Sequence, residues 1–164
     1  MHLPHLHKVA IGTICVALAL SLSSCGSGRQ AATRMITQVT DGVDGAILTM
    51  GNQIKVRSFL IVAQPDGSGV VVGTIANEGT TEDALLALAG NHAVASLSSK
   101  SLPVSQGHPI IFEGATSNAR ATIPILNAIP GTRVKLQMFF ATAGELTLDV
   151  IVRERAGIYA SIGA

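Results

Sequence analysis

The stretch from Val134 to Arg153 constrains the fold more than any other part of the chain. Val134, Leu136, Met138 and Phe140 fall on one face, with Lys135 and Gln137 opposite. Ala141-Thr142-Ala143-Gly144 makes a turn. Leu146, Leu148, Val150 and Val152 then repeat the apolar face, with Thr147, Asp149 and Arg153 opposite. Alternation with a period of two on both arms is the signature of strands with one buried face. The segment is therefore an antiparallel hairpin.

A second hairpin precedes it. Ile54-Lys55-Val56-Arg57 alternates and passes into Phe59-Leu60-Ile61-Val62. Gln64-Pro65-Asp66-Gly67-Ser68-Gly69 is dense in turn-forming residues. Val70 to Ala76 follows as a β-branched run closed by Asn77-Glu78-Gly79. Shorter strands are expected at Ala93–Leu97, Pro109–Phe112 and Ala121–Leu126. Glu82 to Ala89 (EDALLALA) has helical propensity, and Thr81 stands where a helix cap would be. An edge strand is an equal reading of that segment, because pairing overrides propensity over so few residues. Many short strands with turns at intervals of roughly ten residues predict an all-β, antiparallel β-sandwich.

The N-terminus has a separate logic. A basic, His-containing start (Met1 to Lys8) leads into an apolar run from Val9 to Leu22, then Ser23-Ser24-Cys25. The layout is that of a secretory signal and is too short for a membrane span. A cysteine after Leu22-Ser23-Ser24 reads as a lipobox. Residues 1–24 are expected to be a lipoprotein signal peptide. Residues 25–34 are then the lipidated Cys25 and a flexible tether, and residues 35–164 a single β-sandwich domain. Cys15 leaves with the signal, so Cys25 has no disulfide partner. A diacyl or triacyl anchor on Cys25 would hold the protein at the extracytoplasmic face of the cell membrane.

Charge and motifs exclude several functions. Lys8 is the one cation in the export segment, so the remaining Lys and Arg balance the 10 Asp and Glu. No basic patch for nucleic acid is visible. Aromatics are limited to Phe59, Phe112, Phe139, Phe140 and Tyr159, which argues against a stacking platform. Neither a GxSxG motif nor a Walker-type phosphate loop occurs, and no cysteine is free to act as a nucleophile. The adjacent acids Glu82 and Asp83 could form a catalytic pair but read better as a solvated turn or helix start. Asp41-Gly42-Val43-Asp44-Gly45 begins like a calcium loop, lacks the further ligands, and reads as two turns near the tether. The expectation is a protein that is not an enzyme. His92 and His108 read as loop residues, and no HxH, HxxxH or CxxC spacing marks a metal site. Met138 fills the core. Met35 and Met50 are soft enough for Cu(I) in principle.

Two stretches resemble the periplasmic copper chaperone family PCu(A)C. Asn77-Glu78-Gly79-Thr80-Thr81-Glu82-Asp83-Ala84-Leu85 is similar to its N-x-G-x(3)-D-x-L stretch. Val134 to Leu146 is similar to its closing hairpin, and Gly131 matches the glycine just before it. With the lipobox, the resemblance is closest to the branch of LpqE-like lipoproteins. It implies a cupredoxin/immunoglobulin-like antiparallel β-sandwich and an extracytoplasmic setting. Copper-binding members use a His and a Met near the middle of the chain and then an H-x-M. Counted back from Gly131, the H-x-M positions fall on Asn118-Ala119-Arg120, and the earlier pair near Val94–Ser98. Neither window contains His or Met, and Arg120 would place a positive charge beside the cation.

The sequence thus leads to a membrane-anchored lipoprotein with a copper-chaperone-like fold, no cofactor, and a non-enzymatic binding or envelope-associated role. Its partner would be an unidentified protein or small ligand. The alternative is a Cu(I)-handling protein with a divergent site drawn from Met35, Met50, His92 and His108.

Overall fold

The computed structural model describes residues 41–49 and 51–163. The signal segment, Cys25, the tether, Met35 and Met50 lie outside the described residues. The strands are β1 (Val43–Thr49), β2 (Asn52–Ala63), β3 (Gly69–Asn77), β4 (Asp83–Gly90), β5 (Ala93–Val94) and β6 (Ser96–Leu97). They continue with β7 (Leu102–Val104), β8 (Ile110–Phe112), β9 (Ala121–Ile123), β10 (Arg133–Phe140) and β11 (Glu145–Glu154). One 3-10 turn, Gly157–Tyr159, follows, and no α-helix occurs among the described residues.

Both expected hairpins are present. β10 and β11 pair antiparallel, with Val134↔Val150, Leu136↔Leu148 and Met138↔Leu146 as partners. β2 and β3 pair antiparallel from Ile54↔Asn77 to Ala63↔Gly69. The turn between them closes with Gln64 N–H donating to the Ser68 carbonyl at 2.8 Å and Gly67 N–H to the Gln64 carbonyl at 3.1 Å. Asp66 Oδ1 accepts from the backbone N–H and the hydroxyl of Ser68. Those two bonds hold the Asp66 carboxyl below its ordinary pKa.

The tertiary structure decides how the hairpins become a sandwich. β11 serves both layers. Residues up to Ile151 pair with β10, and Val152–Glu154 pair in parallel with Ile61–Ala63 of β2. One layer is therefore β4, β10 and β11 with β5 and β7 at its outer edge. The other is β2 and β3 with β1, β8, β9 and β6. The apolar faces meet in one core, where Ile54, Phe59, Ile61 and Ile75 pack with Leu85, Leu88, Leu136, Met138 and Val150. A fully buried side chain of this size contributes about 1.5–3 kcal/mol. Surface pairs such as Arg57–Asp44, at 3.7 Å, contribute about 0–1 kcal/mol. The core, not the ion pairs, holds the layers together.

A bulge corrects the face of β2 partway along. Asn52, Ile54 and Val56 point inward, Arg57 and Ser58 are both exposed, and Phe59 and Ile61 then point inward. Ser58 has φ +55, and the registers with both β1 and β3 shift at this point. Its N–H donates to Asp44 Oδ1 at 2.7 Å. The displaced Phe59 ring lies edge-on to Phe112, with centroids 6.0 Å apart and planes at 81°. The same ring covers Gly73, where a Cβ would come within 2.3 Å of it.

Two expectations need correction, and one strand was missed. Glu82–Ala89 forms neither a helix nor an edge. Asp83 onward lies in β4, which pairs with β10 on one side and with β5 and β7 on the other. Leu86 is an extra residue between Ala87 and Leu85 in the β10 register. That bulge spaces the buried Leu85 and Leu88 three apart, which imitates helical periodicity. Asp41–Gly45 is not two turns, since Val43 onward is β1. β7, Leu102-Pro103-Val104, was not expected at all. Its proline lacks an N–H, which only an edge strand tolerates, and β7 pairs with β4 alone.

Candidate functional site

The residues that carry the family resemblance are structural. Asn77 is buried. Its Nδ2 donates to the Thr81 carbonyl at 2.7 Å, and its Oδ1 accepts from Gly79 N–H at 2.9 Å. A Cβ on Gly79 would stand 2.6 Å from the Gly51 carbonyl oxygen. Asp83 reaches across to the β10–β11 turn. Its Oδ1 accepts from Thr142 N–H at 2.9 Å and from its neighbour Ala84 N–H at 2.7 Å, and its Oδ2 accepts from Ala143 N–H at 2.8 Å. Glu82 is exposed beside it. Asp83 is thus a buried acceptor for backbone donors, and the two acids do not form a pair.

The two windows where the resemblance places copper ligands do meet in space. β6 pairs with β9 through Ser96↔Thr122 and Leu97↔Ala121. The ladder extends to Ser98 and Arg120: Ser98 N–H donates to the Arg120 carbonyl at 2.9 Å, and Arg120 N–H to Ser98 Oγ at 3.1 Å. The chemistry there is not that of a soft cation site. Asn118 has both ends of its amide committed, accepting from Ile111 N–H at 2.8 Å and donating to the Pro109 carbonyl at 2.8 Å. Arg120 Nε lies 3.1 Å from Glu113 Oε1. The Glu113 side chain is only 10% exposed while that of Arg120 is 58% exposed. Glu113 itself has φ +58, so a left-handed residue turns this carboxylate toward the guanidinium.

Arg120 also belongs to a surface groove of about 370 Å³. Strand alternation puts Arg120 and Thr122 on the outer face, while Ala121 and Ile123 are buried. Thr122 sits against Val70 in the ladder. The Gln64–Ser68 turn forms one wall. Arg155, just past the end of β11, enters from the other side because that end of β11 runs beside β2. Its Nε donates to the Ala160 carbonyl at 3.1 Å. Two guanidinium groups, one just before β9 and one just after β11, thus line one groove. Sequence reasoning named Arg120 but missed Glu113 and Arg155, because no spacing along the chain links residues that only the sheet pairing assembles.

The histidines are far apart. Asn91 and His92 are the central residues of the two-residue β4–β5 turn, with φ +48 and +68, as a type I′ hairpin requires. Asn91 Nδ2 donates to the Leu126 carbonyl at 2.8 Å. His108 is exposed in the β7–β8 turn, its Nδ1 3.3 Å from the Gln106 carbonyl oxygen. These turns lie at opposite ends of β4, a separation of about 23 Å for 3.3 Å per residue. His92 and His108 cannot ligate one ion. Met138 is fully buried in the core. Among the described residues no group of three or more His, Cys, Asp or Glu could hold a metal ion.

A further polar cluster ties down the C-terminal segment. Asp41 accepts from Arg153 and from the Tyr159 hydroxyl, the latter at 2.9 Å. Burial, then the hydrogen bond to Asp41, raises the Tyr159 pKa above its ordinary value.

The fold is that of solved PCuAC domains. The structure matches the apo PCuAC domain from PmoF1 with a TM-score of 0.53 and 19% identity, over 62% of this chain and 93% of that one. It matches the copper-bound PCuAC domain from PmoF2 with a TM-score of 0.54 and 15% identity, over 62% and 92%. The apo form of the PmoF2 domain gives a TM-score of 0.52 and 13% identity, over 63% and 92%. At such identities the likeness establishes a PCuAC-like, cupredoxin-like β-sandwich and nothing finer. No protein-family model matches the chain, and no curated protein matches it in sequence.

Proposed function

Starting from a PCuAC-like fold, we propose that the chain is a non-enzymatic lipoprotein, anchored through Cys25 at the extracytoplasmic face of the membrane, whose body binds a ligand other than Cu(I). The observation that carries the binding half is the state of Asn118 and Arg120. These residues occupy the positions where the resemblance puts the second pair of copper ligands. One is consumed by backbone hydrogen bonds, and the other is a cation paired with Glu113. Cu(I) prefers thioether, thiolate and imidazole donors. An amide and a guanidinium supply neither those donors nor a tolerable local charge. Fold persists while sites are rewritten.

The test is a Cu(I) titration of the unlipidated Cys15→Ala, Cys25→Ala protein against a competing chelator, which also removes both thiols as spurious ligands. The expected result is no submicromolar binding. A second reading, Cu(I) as cargo on a divergent site, is favoured by the copper-bound state of the PmoF2 domain. It would draw on Met35 or Met50 with one of His92 and His108, since the two histidines lie at opposite ends of β4. Submicromolar Cu(I) binding that falls on substituting these residues would establish it instead.

The lipobox carries the anchoring half. Stable attachment needs more than one acyl chain, as a lipobox cysteine provides. Cys25→Ala is expected to move the protein from the membrane fraction to the soluble fraction. A variant that still sediments with membranes would remove the lipoprotein assignment.

A further inference from the structure

The groove between β9, the Gln64–Ser68 turn and the C-terminal segment contains chemistry that the copper comparison does not explain. Arg155 donates through Nε to the Ala160 carbonyl, which fixes one edge of its guanidinium, and Arg120 is ion-paired with Glu113, its Nε 3.1 Å from Oε1. The Nη donors of both have no partner among the described residues. A guanidinium with its Nε fixed keeps its planar fork pre-set, so little rotamer freedom is lost when the outer donors bind an anion. Thr122 and Gln64 also line the groove, with Gln64 Nε2 donating to the Val62 carbonyl at 3.2 Å. Ser68 is not a free donor, since its hydroxyl is given to Asp66. Asp66 forms no ion pair with either arginine, although it lines the same groove.

We propose that this groove is a binding site for a small phosphate ester, its phosphoryl oxygens shared between the Nη forks of Arg120 and Arg155. A carboxylate fills one fork with its two oxygens, whereas a phosphate ester presents three terminal acceptors and serves two forks at once. Asp66 disfavours a bare anion at its end of the groove and favours a ligand that offers a hydroxyl there. The ligand class is therefore a phosphorylated polyol, free or as a lipid headgroup. The site rests on the reading of this fold as a ligand-binding body without a cuprous centre.

Calorimetric titration of the unlipidated Cys25→Ala protein with glycerol phosphate and with inorganic phosphate tests it. Saturable binding is expected, tighter for glycerol phosphate, and weakened about tenfold or more by Arg120→Gln and by Arg155→Gln. Lys100→Gln, outside the groove, should leave it unchanged. Thermal unfolding checks that the variants stay folded, and Arg155→Gln, which breaks no ion pair, is the safer of the two. Sedimentation with phosphatidylglycerol vesicles, against phosphatidylcholine vesicles, distinguishes the sources. Arginine-dependent co-sedimentation assigns a lipid headgroup, and binding confined to solution assigns a free ester. No saturable binding, or an affinity unchanged in either arginine variant, overturns the proposal. Absence of both phosphate and Cu(I) binding sinks this inference alone, whereas submicromolar Cu(I) binding sinks the reading beneath it.

Discussion

Asp83→Ala is expected to destabilise the protein by about 3–5 kcal/mol, because it leaves several backbone donors without an acceptor. The carboxylate accepts from Ala84, Thr142 and Ala143 and is 6% exposed. Two of those donors belong to the turn that closes the β10–β11 hairpin, so the loss falls on the element that links the two layers. Asp83→Asn keeps one acceptor oxygen but sets an amide NH2 against the third donor, and should cost roughly half as much. Glu82→Ala, one residue away and exposed, should stay within about 0.5 kcal/mol of the parent. Urea unfolding of the three variants makes the comparison. Equal effects at positions 82 and 83 would show that the Asp83 bonds carry no stability.

Gly73→Ala should cost about 3 kcal/mol or more, through overpacking and backbone strain. The added methyl would meet Cδ2, Cε2 and Cγ of Phe59 at 2.3, 2.6 and 2.8 Å, and Gly73 has φ +147. Phe59 cannot move aside, since its ring is fully buried against Phe112. Phe59→Leu opens space on that side. Combined with Gly73→Ala, it should give a loss smaller than the sum of the single losses by about 1 kcal/mol or more. Strict additivity in chemical denaturation would mean that the ring and the glycine do not share the strain.

The sandwich was legible where the chain states its own faces. Val134–Phe140 and Leu146–Val152 display their buried side residue by residue, and no partner elsewhere is needed to read it. The Gln64–Gly69 turn was equally plain, since Ser68 bonds Asp66 and Gly67 bonds the Gln64 carbonyl, all within the turn. β4 was not legible. Its bulge at Leu86 spaces its inward leucines as a helix would, and only pairing on both edges selects the strand. Nor was β7, whose proline reads as a strand breaker until the strand is known to be an edge.

The candidate site divides along the same line. That neither Asn118–Arg120 nor Val94–Ser98, the windows the resemblance points to, contains a His or a Met is read directly along the chain. That Ser98 would meet Arg120, that Glu113 would hold its Nε, and that Arg155 would line the same groove depended on β6, β9 and the end of β11 coming to one sheet. Local pattern encodes which side of a strand is buried, because alternation is a property of the strand alone. Which strands become neighbours is set by the shared core and the backbone ladder, whose partners lie far apart in the chain. The sequence by itself therefore determined an all-β body and the residue types in each strand, and only the tertiary structure decided which charged groups stand together on its surface.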